Sequence, residues 1–440
     1  MTRLAQIDQP HRSHVSAASG LATFVNRDAL IVGTIFLAAL MVRWLPVVGP
    51  VIYLLVSGLI FVLHPGKLGT LVRCAPLLFI GLFAIASIFW SDAPSATAYY
   101  GAQYAVTILI SCQLATLLSE RGLLIGLLSA FFIFGLVNFL SGLSEGTITF
   151  YGFYSHAPFV GTMASKNTLA DSSAIGLMIG ITAFATALRR RYVLLALASL
   201  ALIFINALLI ANAQSTGAIV AAIVGCFTVI VLLGSRILSV QARFASFAAM
   251  VTGALALLAT QRLWLGPLFN DLLAVSGKDS TLTGRTYIWE RAQVMIDQHP
   301  LLGVGYAAFW RPGNLEAEAI WRRMLIPNKT GFNFHNTYYD WRVHLGIVGV
   351  TLAIIIVLPL AIGLLVRAVR TPTPMTIFLS ALLVYQTTRM NFEGLAISQF
   401  HYATILIFTA LAWAFRDNEV FAFGSSVASK PRRPTEWRSV

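Results

Sequence analysis

The side chains best suited to chemistry lie in one polar stretch, residues 261–340, of a chain that is otherwise strongly apolar. Arg285 and the pair His335-Asn336 stand out within it. An arginine can bind phosphate oxygens through two parallel hydrogen bonds, and it keeps its proton at neutral pH. A histidine can accept a proton from a hydroxyl group or donate a hydrogen bond to phosphate. The stretch therefore indicates a site at a bilayer face for a ligand that is part lipid and part anion.

Each of these residues also has a structural interpretation. Interfacial arginines commonly bind lipid headgroups or backbone carbonyls, and a lone histidine is commonly held by a polar neighbour. In the functional interpretation, Asn336 would orient His335. Three aromatic residues would either stack on sugar rings or form part of an aromatic belt at the membrane surface: Trp289, Trp310 and Tyr338.

Four further polar residues adjoin apolar segments. Lys166 and Asn167 open one such segment, where a helix N-terminus attracts anions, although a boundary lysine can also extend to the headgroups. Arg389 and Glu393 lie one helical turn apart near the end of another segment. They either contribute to substrate binding or simply neutralise each other.

The sequence predicts no metal or cofactor. It contains no Asp-x-Asp pair of the kind that holds a divalent cation in sugar-nucleotide transferases. The candidate histidines are dispersed: His156, His299, His335, His344 and His401. Gly303-x-Gly305 lacks a preceding strand and is predicted to be a turn rather than a phosphate loop.

The composition is that of a membrane protein. Of 440 residues, 58% are hydrophobic and 11% are charged, whereas soluble domains carry about 25% charged residues. The formal net charge is +13, but the cations occur in short clusters between apolar segments. This distribution is typical of cytoplasmic loops and argues against nucleic-acid binding. We therefore predict an all-α polytopic membrane protein.

A membrane helix needs about 20 apolar residues, and about twelve segments satisfy that rule. The predicted spans are 29–45, 47–64, 74–90, 99–118, 122–141, 168–187, 192–211, 217–233, 243–260, 344–366, 374–392 and 398–415. Cation clusters such as 189–191, 367–370 and 430–433 all fall on one side of this arrangement. The positive-inside rule then places both termini in the cytoplasm.

This topology divides the chain into five parts. They are a cytoplasmic N-terminal segment (1–28), nine spans (29–260), a long outer loop (261–343), three spans (344–416) and a cytoplasmic tail (417–440). Two short helices are predicted in the loop, at 282–298 and 314–324. The first carries an apolar stripe of Ile288, Ala292, Met295 and Ile296, and it is expected to begin at a Thr283 cap and to lie along the membrane interface.

Several motifs together resemble one protein family. They are Gly-Arg-Thr-x-Ile-Trp at 284–289, Pro-Leu-Leu-Gly-x-Gly at 300–305, His-Asn-x-x-Tyr at 335–339, Ser-Lys-Asn-Thr-Leu at 165–169 and Arg-x-x-x-Glu at 389–393. In order and spacing they are similar to the bacterial O-antigen ligase and exopolysaccharide repeat-unit polymerase superfamily, and most of all to its polymerase branch. One element departs from the pattern, because Gln-Ser-Thr-Gly at 214–217 lacks the cation that family members often carry there.

The resemblance implies a GT-C-like membrane glycosyltransferase in the bacterial inner membrane, with the long loop in the periplasm. Its substrate would be an oligosaccharide linked to undecaprenyl diphosphate, and its partners would include a chain-length regulator and export proteins. Elongation of lipid-linked repeats would make it a polymerase, and transfer to lipid A core would make it a ligase. A transporter of lipid-linked sugars is a third alternative, but it would require charges along the middles of the spans, and these are almost uncharged.

Overall fold

The structure, a computed structural model, describes residues 26–41, 44, 48–149, 157–259, 284–327, 329 and 332–416. Within these ranges the chain forms fourteen α-helices and no strand. The first nine are α1 (Arg27–Leu40), α2 (Val48–Leu63), α3 (Ala75–Ala86), α4 (Pro94–Thr116), α5 (Glu120–Ser144), α6 (Lys166–Arg190), α7 (Val193–Ala213), α8 (Thr216–Gly234) and α9 (Val240–Ala259). The other five are α10 (Arg285–Gln298), α11 (Leu315–Arg323), α12 (Thr337–Arg370), α13 (Pro374–Arg389) and α14 (Tyr402–Ala412).

Every predicted span contains one helix, namely α1 to α9 and α12 to α14. In the part of the chain that the structure describes, six helical segments are long and apolar enough to cross a membrane: Pro65–Phe89, Glu120–Ser144, Lys166–Arg190, Val193–Ala213, Thr216–Ile237 and Thr337–Arg370. The protein is therefore an all-helical protein of the polytopic membrane type. That all twelve helices cross the bilayer stays a prediction.

Helix α4 shows why some predicted spans fall below that standard. It carries several buried polar residues, and their hydroxyl groups donate to carbonyls one turn earlier, as Ser111 does to Thr107 at 2.8 Å. Gln113 pairs with Ser57 of α2, whose hydroxyl donates to the Gln113 Oε1 at 2.9 Å. These groups are satisfied inside the protein, so the helix can be buried without being uniformly apolar.

Close helix packing depends on small residues. A Cβ added at Gly126 of α5 would lie 2.5 Å from the Val32 Cβ of α1, and one at Gly180 of α6 would lie 2.8 Å from an Ile203 carbon of α7. Only glycine permits these approaches, which is how apolar helices gain contact when lipid offers no hydrophobic drive. The packed helices fix the position of the N-terminal end of α6, which carries Lys166 and Asn167.

The two short helices of the long loop form a second, separate core. The stripe of α10 is buried with Ala317, Ile320 and Trp321 of α11. Both predicted helices are confirmed. That α10 lies along the membrane interface stays a prediction, but its apolar stripe packs against protein. Its side chains are covered by α11 and neighbouring loop residues, so protein takes the place expected for lipid. The predicted Thr283 cap lies outside the described residues, and left-handed Gly284 precedes the helix.

The Gly-x-Gly turn at 303–305 is hydrogen-bonded to α12. The Val304 and Gly305 amides donate to the Val343 and His344 carbonyls at 2.9 and 3.0 Å. Gly303 and Gly305 both have positive φ, and a Cβ at Gly303 would lie 2.6 Å from the Val343 oxygen. The predicted turn is confirmed, and it fixes the first turns of α12 relative to α10.

Candidate functional site

Four elements bring charged side chains together at one end of the bundle. They are the start of α6, the end of α13 with the turn that follows it, the turn before α12, and the start of α10. We call the residues Asn167, Asp171, His335, Arg389 and Glu393 the polar cluster. Arg285 lies beside it, since the charges of Glu393 and Arg389 both act on its guanidinium group.

Glu393 is the centre of the polar cluster. The side-chain Nδ2 of Asn167 donates to the Oε1 of Glu393 at 3.1 Å. The Nδ1 of His335 lies 3.3 Å from the Oε2 of Glu393. The Arg389 Nη2 is 3.9 Å from Oε1. Burial alone would raise the pKa of Glu393, but the hydrogen bond from His335 and the two nearby guanidinium groups together lower it. Glu393 is therefore ionised at neutral pH.

Arg389 is held from the other side by an acid that the sequence analysis missed. Its guanidinium group pairs with the carboxylate of Asp171 in α6. Arg389 is 4% exposed and Asp171 is 2% exposed. The hydroxyl groups of Tyr385 and Tyr402 donate to the two oxygens of Asp171 at 2.6 and 2.7 Å. Both Asp171 oxygens are thus occupied, and α6, α13 and α14 are joined at one point.

The sequence feature that could have identified Asp171 as a candidate is its position. It is an acid five residues inside an apolar segment, and such residues face protein partners or functional cavities. Asp171 is therefore an exception to the nearly uncharged character of the predicted spans. The two tyrosines carry no comparable sequence signal, because tyrosine is common near membrane surfaces.

Arg285 is a second cation at the site, and it is less buried than Arg389. Its guanidinium carbon lies 5.8 Å from the centre of the Phe392 ring, and the residue is half-buried. Burial lowers its pKa, with Glu393 raising it and Arg389 lowering it. Because an arginine in a protein keeps its proton regardless, Arg285 supplies a fixed positive charge beside the polar cluster.

The turn that carries His335 is held firmly. His335 has a left-handed backbone with φ of 50°, and its amide donates to Asn333 Oδ1 at 2.7 Å. The Thr337 hydroxyl donates to the Glu393 carbonyl at 2.7 Å and accepts from the Leu395 amide at 3.0 Å. The turns that carry His335 and Glu393 are therefore joined by the Thr337 hydroxyl group as well as by the side chains of His335 and Glu393.

Asn336 has a different task from the one expected. Its Oδ1 accepts from the amides of Tyr338 and Tyr339 at 2.9 and 3.4 Å, which makes it the N-cap of α12. The side chain at hydrogen-bonding distance from the His335 ring is Glu393. Sequence reasoning could not find this pair, because 58 residues separate its members.

The three aromatic candidates differ in how far their side chains are used in packing. Trp289 donates to the Phe334 carbonyl at 2.9 Å and stacks on Tyr339, and Trp310 packs against Phe334. Tyr338 is 50% exposed and so has a face open to a ligand. Two of the three aromatic candidates are thus used in packing.

At the start of α6, Lys166 is the first helical residue, and Asn167 accepts from the Ser215 hydroxyl at 2.9 Å. Ser215 belongs to the Gln-Ser-Thr-Gly element that lacks the expected cation. Here that element orients Asn167 toward Glu393. Among the described residues, no group of three or more His, Cys, Asp or Glu side chains is arranged to hold a metal ion.

Comparison with known proteins defines the class. A family model described as "O-Antigen ligase" matches residues 201–354, which include α10 and the turn with His335. The chain belongs to the superfamily of O-antigen ligases and polysaccharide polymerases. It is 30% identical over 307 residues to the exopolysaccharide production protein ExoQ of Rhizobium meliloti (strain 1021), covering 68% of this chain and 67% of that protein.

Proposed function

We propose that the protein is a membrane glycosyltransferase that polymerises undecaprenyl-diphosphate-linked repeat units into exopolysaccharide at the periplasmic face. The observation that carries the proposal is the His335–Glu393 pair beside Arg285, located at one end of a bundle of membrane-type helices. The similarity to a protein named for exopolysaccharide production favours polymerisation. A GT-C-like architecture with twelve crossings and a periplasmic loop is part of the same proposal.

The chemistry follows from the charges. A hydroxyl oxygen of the acceptor sugar attacks the anomeric carbon of the donor, and the bond from that carbon to the diphosphate oxygen breaks. Undecaprenyl diphosphate leaves with the electron pair and with increased negative charge. Arg285 binds it, and Lys166 at the N-terminus of α6 adds positive charge.

The proton of the attacking hydroxyl goes to His335. Glu393 accepts a hydrogen bond from the Nδ1 of that ring, which leaves Nε2 as the basic atom. The carboxylate also stabilises the imidazolium that forms, as in other carboxylate–histidine pairs. Arg389 is already paired with two carboxylates, so it supports Glu393 rather than binding the diphosphate.

A ligase that transfers glycan to lipid A core would use the same groups. The two activities differ in the acceptor, so an assay with lipid-linked repeats alone distinguishes them. A transporter is less well supported, because the polar cluster lies at the ends of α6, α12 and α13 rather than along a path through the bundle.

Location and partners complete the proposal. Both termini are expected in the cytoplasm of a bacterium, with the chain in the inner membrane beside a chain-length regulator and export proteins, and with no nucleic-acid partner. Reporter fusions after Arg191, Arg236 and Arg370 are expected to report cytoplasm, and one near Asn314 the periplasm. A cytoplasmic result at Asn314 would contradict both the topology and the site.

The direct test is elongation by purified protein in liposomes with lipid-linked repeats as both donor and acceptor. We expect longer lipid-linked glycans. Arg285→Ala and Arg285→Lys are both expected to abolish elongation, since a lysine lacks the planar pair of donors. Arg291→Lys, on the same helix but paired with Glu316, is the matched control and is expected to stay active. A fully active Arg285→Lys variant would contradict bidentate binding.

Two further experiments test the group that accepts the proton and the groups that stabilise the leaving diphosphate. His335→Ala is expected to lower turnover at least a hundredfold, in the usual range for a lost general base, while His299→Ala affects mainly folding. Because Arg285 and Lys166 supply positive charge, elongation is expected to persist in excess chelator. Loss of activity on chelation, or an active His335→Ala protein, would contradict the mechanism.

A further inference from the structure

A second buried acid, Asp340, lies between the two turns that carry the His335–Glu393 pair. It belongs to the first turn of α12, within the predicted loop, and it is 1% exposed. Neither the mechanism above nor the sequence motifs use it. Its two oxygen atoms face different elements of the site.

One oxygen holds the turn with His335. The Phe334 amide, directly before His335, donates to Asp340 Oδ1 at 3.1 Å. This bond fixes the backbone one residue from the left-handed His335, a conformation that L-residues adopt only when their surroundings impose it.

The other oxygen faces the turn with Glu393. Asp340 Oδ2 is buried and makes no hydrogen bond within the part of the chain that the structure describes. A Cβ built on Gly394 would lie 2.1 Å from that oxygen. Glycine at this position therefore gives the carboxyl group its room, and the carboxyl group in turn contacts the residue next to Glu393.

A carboxyl group with one unpartnered, dry oxygen is far more stable when it carries a proton, because an ion there would lack solvation. Among the described residues, the charged group that acts on it is the Glu393 carboxylate, which adds no compensating positive charge. The turn after α13 faces it with the Glu393 carboxylate, and the turn before α12 contributes His335, which is already engaged with Glu393. On neighbouring residues of α12, helix α10 contributes Trp289, which stacks on Tyr339, and the Gly-x-Gly turn contributes backbone amides that donate to Val343 and His344.

We propose that Asp340 is a positioning residue that works as a neutral acid, setting the distance between His335 and Glu393. This inference rests on the proposed function. When Asp340 ionises, its negative charge repels Glu393 and disturbs the contacts that align His335. Elongation is then expected to fall at alkaline pH.

The test compares elongation by the full-length protein in liposomes from about pH 6 to about pH 10, a range that covers displaced carboxyl groups. Asp340→Asn stays neutral and keeps an oxygen for the Phe334 amide, so it is expected to match wild type within about twofold at neutral pH and to lack the alkaline decline. Asp340→Ala loses that acceptor and is expected to be at least tenfold slower at every pH. Asp297→Asn, an exposed change on α10, is the matched control and is expected to keep the wild-type profile.

A merely structural role would reduce activity without changing the shape of the pH profile. The same alkaline decline in wild type and Asp340→Asn would overturn the proposal, as would an Asp340→Asn variant as slow as Asp340→Ala. Infrared spectroscopy supplies a readout that is independent of catalysis. The carbonyl band of a protonated carboxylic acid is expected in wild type at neutral pH and is expected to be lost in Asp340→Asn. If wild type shows this band but never elongates glycans, the proposed function fails while the neutral acid stands.

Discussion

Charged side chains are buried at both ends of α13, but they bind different kinds of partner. Near its start, the Glu120 carboxylate accepts from the Met375 amide at 3.0 Å, and Arg416 donates to the Ala115 and Leu118 carbonyls at 2.7 Å each. Near its end, Arg389 binds the side chains of Asp171 and Glu393. Near the start of α13 these hydrogen bonds run to backbone groups, and Arg416 and Arg367 also act on Glu120 by charge. Near its end, charged side chains bind one another directly.

The difference separates a structural role from a chemical one. Helix ends leave amides and carbonyls without helical partners, and charged side chains are strong partners for them. A network of buried charges from distant helices answers no such need. Replacing it with apolar residues would often be neutral or stabilising, so its presence favours a functional explanation. The chemistry is therefore expected at the Arg389 end and the support at the Glu120 end.

Removing Arg389 is expected to have the largest effect. Arg389→Gln leaves the buried Asp171 without its cation and removes one of the two guanidinium groups that act on Glu393. This change is expected to lower the free energy of unfolding by roughly 3–5 kcal/mol and to abolish elongation. The double variant Asp171→Asn/Arg389→Gln removes both members of the main pair. It is expected to recover part of that stability without recovering elongation. Denaturation in detergent and elongation per folded molecule measure the two effects.

The opposite end supplies the matched control. Glu120→Gln keeps an oxygen for the Met375 amide but loses its charge, so it is expected to lower stability by about 1–3 kcal/mol. Elongation per folded molecule is expected to stay at the wild-type level. If Glu120→Gln slows elongation as much as Arg389→Gln does, the proposed division between the two ends is wrong.

Asn167 is expected to have an intermediate effect. Asn167→Ala removes one hydrogen bond to Glu393 and leaves its other contacts in place, so elongation is expected to fall about tenfold, equivalent to about 1.4 kcal/mol. Ser215→Ala removes the hydroxyl group that donates to Asn167 and is expected to cause a smaller loss. Ser172→Ala is the control, since that buried hydroxyl on the same helix donates to a backbone carbonyl. Equal losses in all three variants would indicate a general packing defect.

What the sequence could predict was local. Apolar length located all twelve helices, and helical spacing correctly predicted the apolar stripe of α10 and the proximity of Arg389 to Glu393. Contacts between distant segments could not be predicted this way. Tyr385 and Asp171 are separated by 214 residues, and periodicity identifies which face of a helix is buried without identifying its neighbour. The partners of Glu393 and the burial of Asp340 beside it became visible only once the helices were assembled.

The smallest expected effect concerns stability in acid. The pKa of Glu393 is lowered in the folded protein, where the His335 hydrogen bond and nearby guanidinium groups outweigh the effect of burial. A lowered carboxyl pKa stabilises the folded state above the ordinary value of about 4.5, and that stabilisation disappears as the pH falls through the lowered value. Wild type is therefore expected to lose stability relative to Glu393→Gln on acidification across this window.

Thermal unfolding in detergent at pH values from about 7 to about 3 measures this difference. Glu316→Gln gives the comparison for a partly exposed ion pair, in which Glu316 binds Arg291 at the surface of the second core. Solvent and salt screen that pair, so its variant is expected to follow the wild-type curve more closely than Glu393→Gln does. A Glu393→Gln protein with the same acid dependence as wild type would show that Glu393 gains no net stabilisation from its partners.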